Sequence, residues 1–163
     1  MRALPLVVGV APDVDLALAI AAREQRARDR RSADLPLQAG SSVSGAGDVN
    51  GDGFADLLIG APFEFYGNFA GAQGGAAYVV YGRPVPSPIT LTLSSQGPPA
   101  PDVSALFGDP FFGQTFGLGY DVVGAGDVNG DGFSDLVVSA TTSTGTFYDY
   151  VVHGRVQPLP SGR

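Results

Sequence analysis

The residues with the clearest chemical potential are oxygen-bearing side chains spaced along a short glycine-containing segment. They are Asp48, Asn50, Asp52 and Asp56, at positions 1, 3, 5 and 9 of that segment. Calcium prefers roughly six to eight oxygen ligands at about 2.3–2.6 Å and tolerates irregular geometry. The chain must curl tightly to bring these side chains together, and the intervening glycines allow this because they adopt positive φ without a steric penalty. The segment therefore predicts a calcium-binding loop.

The same pattern recurs 79 residues later, and the nine residues GAGDVNGDG are identical in the two copies. Each copy supplies five predicted ligands, which are Asp48, Asn50, Asp52, the backbone carbonyl of Phe54 and Asp56 in the first, and Asp127, Asn129, Asp131, the backbone carbonyl of Phe133 and Asp135 in the second. We expect two calcium ions, with folding and binding coupled, because metal-free carboxylates would repel one another. The alternative is an Asx-turn hairpin in which these residues serve backbone geometry alone.

The spacing argues against an EF-hand loop. That loop needs an acid at position 12 and a following helix. Here position 12 is Ile59 in the first copy and Val138 in the second, and the residues that follow predict strands. An acid at position 9 before an apolar strand indicates a calcium site within a β-hairpin.

Short apolar and β-branched runs between glycines predict β-strands around each loop. In each copy a first strand ends near Gly47 or Gly126, and later strands are predicted at 57–61 or 136–140 and at about 75–81 or 147–153. The alternating segment 89–93 predicts a fourth, outer strand of the first unit. The proline-containing segment 94–115 predicts a long connection.

These residues resemble an FG-GAP repeat. The first copy reads GAGDVNGDGFADLLIGAP, and the second has Phe116 and Gly117 at the place of the family's Phe-Gly pair. The first copy has Leu37 and Gln38 there instead, and the second lacks the Gly-Ala-Pro of the first. The resemblance covers about residues 37–155. It implies four-stranded antiparallel blades, as in the seven-bladed propeller of integrin α subunits, with calcium between the first two strands.

The predicted fold class is all-β, with two propeller-type blades forming an incomplete propeller. We expect a first blade at 39–93, a connection at 94–115, a second blade at 116–157 and a tail at 158–163. Residues 1–38 are a leader, either a remnant strand plus a short helix from Asp13 to about Arg31 or a loosely ordered segment. Propellers use about four to eight blades, so we expect a fragment, a truncated product, or self-association that covers exposed apolar faces.

Composition restricts the partners. The net charge is −7, and residues 32–163 hold three Arg against twelve acids, which disfavours nucleic-acid binding. The absence of cysteine excludes disulfides and thiolate metal sites. No apolar run is long enough to span a membrane, and the N-terminus is a poor signal peptide.

No motif indicates catalysis. The one histidine, His153, falls in a predicted strand, and no nucleophile elbow or phosphate loop occurs. Loop aromatics are candidates for a ligand face or for packing between blades, namely Phe63, Phe65, Tyr66, Phe69, Phe107, Phe111 and Phe112. We predict a non-enzymatic, calcium-binding adhesion module, extracellular or at the cell surface, that recognises a protein or glycan. The alternative is an accessory non-catalytic domain of a larger secreted hydrolase.

Overall fold

The computed structural model describes residues 6–8, 39–64, 74–83, 89–91, 103–108, 117–142 and 144–156. In these ranges all regular structure is β, which confirms the predicted fold class. The strands are β1 (Leu6–Val8), β2 (Val43–Gly47), β3 (Asp56–Ala61), β4 (Ala76–Val80), β5 (Ile89–Leu91), β6 (Val103–Phe107), β7 (Val122–Gly126), β8 (Asp135–Thr141) and β9 (Phe147–Val152). Nothing in these ranges forms a helix long and apolar enough to cross a membrane. The helix predicted at 13–31 lies outside them.

The first sheet has the antiparallel order β2-β3-β4-β6. Strand β6 is its fourth strand, with Ala105 opposite Tyr78 of β4. The prediction that 89–93 supplies this strand is wrong, because β5 pairs with β1 in a separate two-stranded sheet. Alternating Ile-Thr-Leu residues predict a strand but carry no information on which edge it joins. The strand at 103–107 lies within the range 94–115, which the sequence predicts as a connection.

The second sheet has the antiparallel order β7-β8-β9. Its strands match the three predicted for the second copy, as β2, β3 and β4 match those predicted for the first. Both sheets carry a register shift at the same place, between Gly45 and Gly47 in β2 and between Gly124 and Gly126 in β7. Such a bulge bends the strand. It lies directly before each Asp/Asn/Gly loop and aims the chain into it.

The main apolar core lies between the two sheets. Its buried members come from both, and they are Ala46, Val49, Leu58, Ala77, Val79, Tyr81, Leu118, Val122, Leu136, Val138 and Ala140. A second cluster covers the opposite face of the first sheet and includes Leu57, Ile59 and Tyr78. Strand β3 is therefore buried along its whole length, as expected for an apolar run covered on both faces.

The outer face of the second sheet remains exposed. In β8 the buried residues Leu136 and Val138 alternate with partly buried ones, and the neighbouring Val123 and Val151 are 49% and 54% exposed. Among the described residues, this face therefore leaves apolar side chains open to solvent.

Glycines set the close approach of the two sheets. A Cβ placed on Gly60 would lie 2.2 Å from the carbonyl oxygen of Gly119, and one on Gly124 would lie 2.3 Å from that of Gly45. The amide of Gly124 also donates to Ser44 Oγ at 3.2 Å. The sheets therefore touch through backbone atoms as well as apolar side chains.

Candidate metal centre

The two Asp/Asn/Gly loops occupy equivalent places in the fold. Residues 48–55 connect β2 to β3, and residues 127–134 connect β7 to β8. Within the loops Gly51 and Gly130 have φ of 77° and 76°. This is the left-handed region that glycine adopts without strain, as the predicted tight curl requires.

In the first loop Asp48 organises the backbone. Its Oδ1 accepts from the amides of Gly51 at 2.7 Å and Asp52 at 3.1 Å, and its Oδ2 accepts from that of Gly53 at 2.8 Å. Asn50 Oδ1 accepts from the Asp52 amide at 3.0 Å, and Asn50 Nδ2 donates to Asp52 Oδ2 at 2.8 Å. The side chains predicted as ligands therefore hold the curled backbone in place.

Asp56 ties the loop to the end of the third strand. The side chain is 2% exposed. Its Oδ2 accepts from the amide of Val49 and its Oδ1 from that of Gly82, both at 2.8 Å. This carboxylate therefore joins the loop, the start of β3 and the segment after β4.

The second loop repeats this network. Asp127, Asn129 and Asp131 make the same bonds as their counterparts, and Asp135 accepts from the amides of Val128 and Gly154, both at 2.9 Å. Each of the eight distances agrees with its counterpart in the first loop within 0.1 Å. The sequence repeat is therefore also a repeat of geometry.

The two buried carboxyls differ in their electrostatics. Burial raises the pKa of Asp56 to about 6, although the amides of Gly82 and Val49 favour its charged form. Burial also acts to raise the pKa of Asp135, but the Gly154 and Val128 amides and His153 outweigh it, so that its pKa lies below the ordinary value. The same motif therefore gives carboxyls of different acidity.

His153 causes part of this difference. Its Nδ1 lies 3.3 Å from Asp135 Oδ1 and 3.2 Å from Asn129 Nδ2. It follows β9, whereas the sequence places it inside the strand, and sequence reasoning missed its contact with the loop. The sequence repeat carries no signal for this contact, because the first unit has Tyr81 at the equivalent position, and Tyr81 is buried and hydrogen-bonds with Ser104.

The donor set suits a hard cation. The loop side chains offer only oxygen ligands and an amide. Asp48 Oδ1 accepts from two amides, whereas Asp48 Oδ2 accepts from one and keeps a second lone pair for an ion. In the part of the chain that the structure describes, no three His, Cys, Asp or Glu side chains form a group that could hold a metal ion. The chemistry of the residues fits calcium, whereas the structure directs the carboxylates to the loop's own backbone amides.

The predicted aromatic ligand face is only partly described. Phe63 is exposed on the loop that follows β3. Phe65, Tyr66, Phe69, Phe111 and Phe112 lie outside the described residues. The prediction that Phe107 is a loop aromatic is wrong, because it ends β6 and packs against the second apolar cluster.

Comparison with protein families agrees with the repeat geometry. The model of the FG-GAP repeat matches residues 39–80 and 112–152, together just over half of the chain. The chain belongs to the FG-GAP repeat family. Each matched segment holds one Asp/Asn/Gly loop and the three strands around it, so the resemblance inferred from the sequence is confirmed.

Similar curated proteins are integrin α subunits. The chain is 35% identical to integrin alpha-PS5 of Drosophila melanogaster over 115 residues, covering 65% of this chain and 9% of that protein. It is 35% identical to integrin alpha-E of Mus musculus over 104 residues, covering 64% and 8%. It is 29% identical to integrin alpha-3 of Mus musculus over 150 residues, covering 83% and 13%. The FG-GAP chain therefore spans about a tenth of the length of these relatives.

Proposed function

We propose that this chain is a calcium-stabilised, non-enzymatic binding module of integrin-like β-propeller type. The observation that carries the proposal is the pair of loops with the same oxygen donors and the same eight hydrogen bonds. In the first loop burial, together with the charges of Asp52 and Asp48, raises the pKa of Asp56, and a bound cation would relieve this conflict among the carboxylates. We therefore favour calcium over a purely structural turn.

Each loop would hold its ion through five oxygen donors. In the first loop these are side-chain oxygens of Asp48, Asn50, Asp52 and Asp56 and the backbone carbonyl of Phe54. In the second they are the counterparts in Asp127, Asn129, Asp131, Asp135 and Phe133. Bound calcium would supply positive charge that compensates the carboxylates and lowers the raised pKa of Asp56. The hydrogen bonds from Val49 and Gly82 would orient the Asp56 carboxylate towards the loop.

The module would act outside the cell or at its surface. The matched relatives are integrin α subunits, and calcium sites of extracellular modules are tuned to about 10⁻⁴–10⁻³ M. A protein or glycan would be the ligand, with Phe63 among the residues that contact it. The acidic character of residues 32–163 supports a cation and disfavours nucleic acid as a partner.

Thermal unfolding of the whole chain in EDTA and in millimolar calcium tests this proposal. We expect calcium to raise Tm, since an ion at about tenfold its Kd stabilises the folded state by about 1.4 kcal/mol per site. Asp52→Asn and Asp131→Asn should each remove at least half of that rise.

Asp149→Asn is the matched control. It removes the same charge from an exposed residue of β9 and keeps an oxygen that can accept from Ser139 Oγ. The calcium-induced rise in Tm should be unchanged in this variant. A Tm that is the same in EDTA and in calcium would refute the proposed function.

A further inference from the structure

The second loop contacts the first loop directly. The amide of Ser134 donates to the carbonyl oxygen of Asp48 at 2.9 Å, and the amide of Arg155 donates to that of Val49 at 2.9 Å. Asp48 is a proposed ligand of the first ion, and Ser134 lies between Phe133 and Asp135, two proposed ligands of the second. These two hydrogen bonds therefore link the backbone that positions the proposed ligands of the first ion to the backbone that positions those of the second.

Side-chain packing strengthens this contact. The ring of Phe133 lies over the first loop, and a Cβ placed on Gly51 would lie 2.5 Å from its Cε1. Val49 is 0% exposed, whereas Val128, its counterpart in the second loop, is 58% exposed. The second unit thus covers the first loop at a position where its own loop is open to solvent.

We propose that the two loops form one coupled unit, so that calcium in either loop raises the affinity of the other. This inference rests on the proposed function, because it assumes that both loops take up the ion. An ion that orders the first loop fixes the Asp48 carbonyl and the surface under the Phe133 ring. The second loop then has fewer conformations to lose when it binds. The effect is reciprocal, because a coupling free energy belongs to the pair of sites.

Calorimetric calcium titration of the whole chain measures the coupling. Asp131→Asn disables the second loop and Asp52→Asn disables the first, so each variant reports the affinity of the remaining loop alone. In the unaltered chain each loop should bind calcium at least about fivefold more tightly when the other loop is occupied than it does in the single-loop variant. The factor, here called the coupling factor, should be the same for both loops.

A matched pair of variants tests whether the contact carries the coupling. Phe133→Ala removes the ring that covers Gly51 and keeps the backbone carbonyl. Phe54→Ala removes the same ring from the equivalent position of the first loop, where it is 39% exposed. Each ring variant is titrated with both loops intact and with one loop disabled by Asp52→Asn or Asp131→Asn. The coupling factor should fall towards one in Phe133→Ala. It should persist in Phe54→Ala, whatever the change in that loop's own affinity.

Amide hydrogen exchange gives a readout that does not depend on the Phe133 variant folding. In Asp131→Asn only the first loop can bind, and calcium should still increase the protection of the Ser134 and Arg155 amides. Two ions bound with affinities that do not depend on each other would overturn the coupling and leave the proposed function standing, as would unchanged protection of both amides. No uptake at all would overturn both proposals.

Discussion

At the residue scale, each position of the Asp/Asn/Gly motif has a structural task that is visible without the ion. Asp48 and Asp127 gather three backbone amides each, and Asp56 and Asp135 each join the loop to a segment beyond the next strand. The motif therefore builds a pre-curled loop that is rich in oxygen donors. Preorganisation of this kind would lower the cost of ordering a binding site for a cation.

A pair of glycine substitutions separates backbone strain from contact between the loops. Gly51→Ala and Gly130→Ala both place a side chain at nearly the same positive φ. A Cβ at Gly130 meets nothing within 4 Å, whereas one at Gly51 strikes the Phe133 ring. In EDTA we expect Gly130→Ala to lower the free energy of unfolding by about 1–2 kcal/mol. Gly51→Ala should cost about 1–3 kcal/mol more.

Chemical denaturation of the two variants, side by side, measures this difference. Equal losses would mean that the Phe133 ring does not press on the first loop in solution. That result would remove the packing part of the coupling argument and leave its two backbone hydrogen bonds.

At the element scale, three strands of each unit could be predicted from the sequence because the repeat shows which glycine-bounded apolar runs belong together. The fourth strand of the first sheet could not. Strand β6 follows a proline-rich segment, which predicts a connection, and the alternation in β5 fits an edge of any sheet. Strand pairing depends on contacts between residues distant in sequence, and local pattern does not encode them.

The position and the tight curl of the two loops could be predicted from the sequence, but the residues that contact the loops could not. Spacing of Asp, Asn and Gly identifies a loop by itself. The amides of Gly82 and Gly154 and the ring of His153 reach the loops only because the third strand of each sheet ends beside them. Such partners become visible once strand register is known.

Because the two sheets pack on each other through one face of each, equivalent valines should contribute differently to the free energy of unfolding. Val79 in β4 is fully buried between the sheets, and Val151, which occupies the corresponding place in β9, is 54% exposed. Val79→Ala should lower the free energy of unfolding by about 2–3 kcal/mol, because it removes buried methyl groups and leaves a cavity. Val151→Ala should stay within about 0.5 kcal/mol.

Urea denaturation compares the two valine variants directly. A large loss in Val151→Ala would show that the outer face of the second sheet is covered in solution. Similar small losses in both would contradict the packing of the two sheets on each other.

At the scale of the whole molecule, the two larger sheets pack on each other around one core and carry their loops in contact. The outer face of the second sheet carries exposed apolar residues, among them Val123 and Val151. The relatives that this FG-GAP chain matches are far longer than the chain itself. Stacked repeats of this type depend on their neighbours for buried surface. Stability and calcium binding should therefore be properties of the pair of units and not of either alone.

Native mass spectrometry in calcium-containing volatile buffer counts the ions per chain and tests the central claim most directly. The unaltered chain should carry two calcium ions at saturation. Asp52→Asn and Asp131→Asn should each carry one, and the double variant none. A chain that carries no calcium, or variants that carry as much as the unaltered protein, would contradict the account.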